Sequence, residues 1–214
     1  MHRLLFRTFS ATILVLLLAD SGSANSYKVD VAHSSVEFSI RHIVSRVTGS
    51  FTDFSGSIMY DPEQAEKSTV EATIQIGSID TRNEKRDNHL RSPDFFDTKK
   101  YPEMSFKSTG VKKQGDKLLA TGDLTFHGVT KSVVLTVEVL GTGVHPMSKA
   151  PVAGFAAKTV IKRSDYGVNN WTDATGMLGD EIRISLNIEA GGTEGANPCN
   201  PCGKADNPCN PCEK

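Results

Sequence analysis

The sequence predicts an all-β fold of about eight antiparallel strands with one short helical insertion, and three observations carry that expectation. Apolar and polar residues alternate with period two in successive runs between Tyr27 and Ala190. Turn chemistry separates the runs, at Asp61-Pro62, Gln114-Gly115-Asp116, His127-Gly128 and Gly141-Thr142-Gly143. A polar stretch from Asn83 to Asp97 interrupts the alternation and ends in an aromatic pair.

The chain opens like a removable export signal. His2, Arg3 and Arg7 make a basic start, Ala11 to Ala19 is apolar, and small residues follow at Ser21-Gly22-Ser23-Ala24. The apolar stretch falls short of the roughly 20 residues of a membrane span. Residues 1–24 are therefore expected to be a signal peptide, with no stable membrane span, and the mature protein to be periplasmic or secreted. No cysteine lies near the cleavage site, so a lipid anchor there is not expected.

The strands follow in order. Val36, Phe38 and Ile40 alternate with Ser35, Glu37, Ser39 and Arg41. Phe54, Gly56, Ile58 and Tyr60 alternate with Asp53, Ser55 and Ser57. Val70, Ala72, Ile74 and Ile76 alternate with Thr69, Glu71, Thr73 and Gln75. Later runs span Leu118 to Phe126, Val133 to Val139, Phe155 to Ile161 and Ile182 to Ile188. Such two-faced strands suit antiparallel sheets with one wet face. Eight of them can close into a barrel, which removes unpaired edges, or stack as two sheets; the pattern does not separate the two.

Between the third and fourth runs, Thr81-x-x-Glu84 reads as a capping box opening a short polar helix. Ser92-Pro93 reads as a second N-cap with proline at the first helical position. Asp87 and Arg91 stand at i, i+4, the spacing of an ion pair that would pin the helix to the sheet.

Residues 25–190 suit one domain with one core. With 24 basic and 25 acidic residues, the net charge is −1, which argues against nucleic acid as a partner. All four cysteines lie beyond residue 198, so the core stands without disulfides. No nucleophile elbow or metalloprotease helix is recognisable, so no catalytic residue is assigned and no enzyme is expected. His127, before Gly128, is expected to be a turn residue bonded to backbone. His89, on the helix, and His42, at a strand end, are each open between a structural role and contact with a ligand.

From Gly191 the alternation stops. Residues 191–214 read as a glycine-rich linker and a tail in which Asn197-Pro-Cys-Asn-Pro-Cys202 recurs at Asn207 to Cys212. Cys199, Cys202, Cys209 and Cys212 have the spacing of a four-thiolate metal site, and outside the cytoplasm they can equally form two disulfides. No cofactor is expected beyond a metal at this tail.

Several motifs together resemble the YceI-like family of periplasmic lipid-binding proteins. They are Ala32-His33-Ser34-Ser35-Val36, Gly49-x-Phe51-x-x-Phe54-x-Gly56, and the run from Asn83 to Asp97 with Lys100-Tyr101-Pro102 and Phe106-Lys107-Ser108. Later come Thr121-Gly122-Asp123-Leu124, His127-Gly128-Val129-Thr130, Arg163-Ser164-Asp165-Tyr166-Gly167 and Gly179-Asp180-Glu181-Ile182. The loop from Trp171 to Leu178 does not align with it. The resemblance implies a lipocalin-like, extended eight-stranded antiparallel β-barrel over residues 25–190. It also implies a long-chain lipid or polyisoprenoid as the partner, held inside the barrel, and leaves a homodimer open.

Inward phase and resemblance together nominate the ligand-binding residues. Phe38, Phe54, Phe106, Phe126 and Phe155 are inward aromatics; Ala72 and Ile74 share their face, with Ala120 and Ala157 as further small inward positions. Small residues inside a barrel leave volume, although the same set could pack solid. His42, His89, Phe95 and Phe96 complete the site, the last two near the opening. The function expected is binding, transport or storage of a long-chain amphiphile. The alternative is a stress-related periplasmic protein whose tail binds metal or handles thiols.

Overall fold

The structure, a computed structural model, describes residues 25–170 and 176–192. The signal peptide, the tail cysteines, Trp171 and its Asn170-Trp171-Thr172 sequon fall wholly or partly outside the described residues.

One antiparallel sheet contains β1 (Asn25–Val29), β2 (Ser35–His42), β3 (Ser45–Phe51), β4 (Phe54–Tyr60), β5 (Thr69–Gln75) and β6 (Ile79–Asp80), followed by β7 (Glu103–Gln114), β8 (Lys117–Phe126), β9 (Val129–Val144), β10 (Pro151–Lys162) and β11 (Leu178–Gly192). Helix α1 (Glu84–Arg91) lies between β6 and β7. The pairs β1/β2, β3/β4 and β5/β6 are consecutive halves of three bent strands, so the eleven segments make eight barrel strands. β11 closes the ring, pairing with β10 on one side and with both β2 and β1 on the other, as in Ile184↔Phe38 and Ala190↔Val29. The barrel, rather than the two-sheet sandwich, is therefore the fold.

The bend between β1 and β2 is built from local hydrogen bonds. Asp30 caps the turn Val31–His33, its carboxylate accepting the Ala32 N–H at 2.9 Å. Its own N–H donates to Glu189 O at 2.9 Å, which keeps β11 attached across the kink. Sharp reversals use positive φ: His127 (51°) and Gly128 (76°) form the two-residue β8–β9 turn. His127 Nδ1 lies 3.0 Å from Tyr166 O, the backbone role its sequence position suggested.

Two expectations change here. Gly141-Thr142-Gly143 is not a turn but lies inside β9, where the register slips around Leu140. Glycine at 141 (φ 154°) accommodates the bulge without ending the strand. Gly191 and Gly192 are not linker: they pair with Lys28 and Tyr27, and β11 runs through Gly192.

The interior divides in two. At the end away from α1, Tyr27, Ile58, Tyr60, Val111, Leu118, Ala120 and Phe155 pack with one another, with Tyr60 and Phe155 edge to face at 5.4 Å. Towards α1, a second cluster contains Phe51, Phe54, Ile76, Ile79, Phe95, Phe96, Phe106 and Phe126. Gly122 permits the close approach there, since a Cβ would stand 2.5 Å from the Phe106 ring.

Candidate functional site: a blind apolar cavity under α1

Helix α1 is too polar to dock by burial, and Asp87 is its one buried residue. Asn83, not Thr81, is its N-cap, the side-chain oxygen accepting the Arg86 N–H at 3.0 Å. The expected capping box fails because Thr81 is buried and otherwise engaged. Its N–H and hydroxyl both donate to Asp87 Oδ1, at 3.0 and 2.5 Å, while its hydroxyl accepts from Arg86 Nε at 2.8 Å. The expected Asp87–Arg91 pair is likewise absent. Arg91 instead reaches back to Gly77 O and Ile79 O, each at 2.7 Å. Both ends of α1 are thus fastened to the β5–β6 edge through polar groups.

Beyond the helix no second helix begins. Ser92 is the C-cap, its hydroxyl donating to His89 O at 2.7 Å, and tight turns follow. Backbone bonds from Phe95 N to Ser92 O and from Phe96 N to Leu90 O turn both rings inward. Phe95 stacks edge to face on His89 at 4.9 Å, and Phe96 on Phe126 at 5.5 Å. The helix and this aromatic pair cover one end of the barrel.

Beneath them lies a cavity of about 370 Å3, lined overwhelmingly by hydrocarbon. The packed cluster around Tyr60 and Phe155 closes its far end. Of the nominated residues, Phe38, His42, Phe54, Ala72, Ile74, His89, Phe95, Phe96, Phe106 and Phe126 border the cavity. Phe155 does not: it is inward-facing, as expected, but belongs to the packed end. Ala120 is buried in that same cluster, and Ala157 is buried without bordering the cavity. Alternation gives the face of a strand but not the depth along the barrel, and depth separates these three from Ala72.

Sequence reasoning missed two cations. Arg86, within the polar helix, borders the cavity. Arg163 stands in the Arg163-Ser164-Asp165-Tyr166-Gly167 motif, whose pattern assigns it no role. It borders the cavity at 2% exposure, donating from Nε to Gly179 O at 3.0 Å and from an η nitrogen to Val168 O at 3.1 Å and Asn170 O at 2.6 Å. A buried guanidinium is tolerable only with such acceptors.

Donors for a metal group elsewhere. Asp30, His33 and Glu189 bring ligand atoms within 4.8 Å of one another on the outer surface. Asp30 is already committed to the Ala32 N–H and to His33 Nδ1 at 2.8 Å. The His33 hydrogen bond, then the Ala32 N–H, lowers the Asp30 pKa, and the bond to Asp30 raises that of His33. Burial raises the Tyr166 phenol. Among the described residues, no helix is long and apolar enough to cross a membrane.

Comparison with known proteins agrees with this architecture. A family model for the YceI-like domain matches residues 27–190. The UPF0312 protein plu2095 of Photorhabdus laumondii is 42% identical over 178 residues, covering 82% of this chain and 91% of the relative. The crystal structure of the Campylobacter jejuni YCEI protein superposes with a TM-score of 0.65 at 38% identity, over 72% of this chain and 91% of that one. A polyisoprenoid binding domain from Saccharophagus degradans shares the fold at 16% identity, with a TM-score of 0.57 over 79% of this chain and 99% of that one. From its amino-terminal kinked strand to the strand that closes the barrel, this chain belongs to the YceI-like family.

Proposed function

We propose that the protein binds one long-chain amphiphile, a polyisoprenoid or fatty-acyl lipid, non-covalently inside the barrel, and carries or stores it in the periplasm without chemistry. The observation that carries this reading is the cavity: about 370 Å3, hydrocarbon-lined and blind at one end. That volume lies in the range of small-ligand sites, roughly 300–1,000 Å3. Each buried methylene contributes about 0.8 kcal/mol, so about ten suffice for a tight hold with few polar contacts. Arg86, His89 and His42 border the cavity and suit an anionic or polar headgroup held at its α1 end. The Saccharophagus neighbour, named for polyisoprenoid binding, lends the reading support. Export rests on the amino-terminal signal pattern and on the family.

Native mass spectrometry of protein purified from its own host tests the proposal. The expected result is an excess mass that organic extraction removes and that extracts as a long-chain lipid. Protein that arrives empty and takes up neither a polyisoprenyl phosphate nor a fatty acid overturns it.

A further inference from the structure

The β2–β3 hairpin breaks the turn chemistry that the β7–β8 and β8–β9 hairpins obey. His42 pairs with Ser45, so Ile43 and Val44 are the central residues of the turn. The β7–β8 and β8–β9 hairpins fill those places with Gly115-Asp116 and His127-Gly128, as tight turns favour. Ile43 instead holds a φ of 52°, a left-handed conformation that strains a β-branched residue. Burial does not explain the choice: Ile43 is 52% exposed and Val44 96%.

The turn is nevertheless firmly held. The Ile43 N–H donates to Met177 O at 2.7 Å. One Arg41 nitrogen donates to Ile43 O at 3.1 Å and to Gly176 O at 2.9 Å. An apolar tip is therefore presented to solvent on a fixed backbone. Along the chain its flanks are basic, with Arg41, His42 and Arg46 and no acidic residue between Phe38 and Thr52, while Asp180 and Glu181 of β11 lie further back, opposite Arg41. It also stands at the cavity, since His42, Val47 and Leu178, next to Met177, all border it.

Exposed Ile and Val with Arg41 at the turn and Arg46 behind it, its guanidinium resting on Ser39, fit an anionic phospholipid surface. The branched side chains enter the acyl boundary while the guanidinium groups stay at the phosphates. We propose that this hairpin docks the cavity-bearing end of the barrel on an anionic membrane, so that a bound chain passes between bilayer and cavity without crossing water. The proposal rests on the lipid-carrier reading above.

Flotation of the full mature chain with phosphatidylglycerol–phosphatidylethanolamine vesicles, against phosphatidylcholine vesicles, tests it. Wild type floats with the anionic vesicles, more weakly as salt is raised, and little with phosphatidylcholine. The double variant Ile43→Asn, Val44→Ser relieves the backbone strain and loses binding by about tenfold or more. Arg46→Gln loses about fivefold, on anionic vesicles alone. Wild type that does not float with anionic vesicles, or a double variant that floats as well as wild type, overturns the proposal; so does binding only to a protein partner. Lipid load is read on the same samples. Variants that keep the wild-type load while losing flotation place the defect in docking. Wild type with no lipid load overturns the carrier reading while the flotation comparison still decides the docking.

Discussion

Thr81 and Asp87 are locked together: the N–H and the hydroxyl of Thr81 both end on one oxygen of the buried Asp87 carboxylate, at 3.0 and 2.5 Å. The hydroxyl accepts Arg86 in turn, so one side chain joins the β6 end, the helix and a residue of the cavity wall. Asp87→Ala removes the acceptor and leaves two buried donors without it. The expected cost is about 1–3 kcal/mol. Hydrogen exchange should locate the loss in α1, and bound lipid should exchange faster. Arg91→Ala, which frees Gly77 O and Ile79 O, should loosen the same helix independently. Exchange rates in α1 equal to wild type for both variants would show that the helix does not depend on these fastenings.

Ala72 and Ala157 separate the cavity from the rest of the interior. Ala72 borders the void opposite Phe106, whereas Ala157 is buried without reaching it. Ala72→Phe should fill the void and abolish lipid uptake with little change in melting temperature. Ala157→Phe should overpack a filled region, costing about 1–3 kcal/mol. Thermal denaturation and lipid load, measured on both, should show opposite patterns; an Ala72→Phe barrel with a full lipid load would remove Ala72 from the site.

The Asp30–His33 pair should be visible in pH titration. The hydrogen bond to Asp30, then the Asp30 and Glu189 charges, raises the His33 pKa above its ordinary 6.5. The same bond lowers Asp30 below 3.8. His33 thus favours the fold fully below its ordinary value, and that contribution fades as pH rises through the folded one. Asp30 contributes above its ordinary value and loses that contribution as pH falls through the folded one. The pair therefore contributes most between about 3.8 and 6.5. NMR titration of the His33 ring should show a raised midpoint that moves down in Asp30→Asn; an unmoved midpoint would exclude Asp30 as its cause.

Truncation should respect the end of β11 rather than the start of the glycines. Ending the chain after Gly192 should leave the melting temperature and lipid load unchanged. Ending it after Ala190 removes residues that pair with β1 and β10 and should lower the melting temperature. Thiol titration of the full chain purified from its own host then distinguishes the two tail proposals for Cys199, Cys202, Cys209 and Cys212. Thiols released only by reduction indicate disulfides, and thiols released by a chelator indicate a metal.

Strand existence and facing were legible in the sequence because the pleat has a period of two, so Phe38, Phe54, Phe106 and Phe126 announce their inward face in any sheet. The His127-Gly128 turn was legible because positive φ needs particular residues. What the linear pattern lacks is position along the barrel. Phe155 and Ala72 both point inward; one meets Tyr60 in a packed end and the other meets empty volume, a difference made by strand stagger and by which neighbours arrive from distant segments. Polar partners were least legible. Asp87 and Arg91 have ideal helical spacing, but the β5–β6 edge offers each of them buried donors or backbone acceptors whose satisfaction outweighs an exposed ion pair. By itself the sequence determined the family, the antiparallel strands and the inward aromatics, because those depend on local periodicity and motif. Tertiary structure alone decided which inward residues surround the void, how α1 is fastened over it and that Arg163 reaches it, because each depends on contacts between segments far apart in the chain.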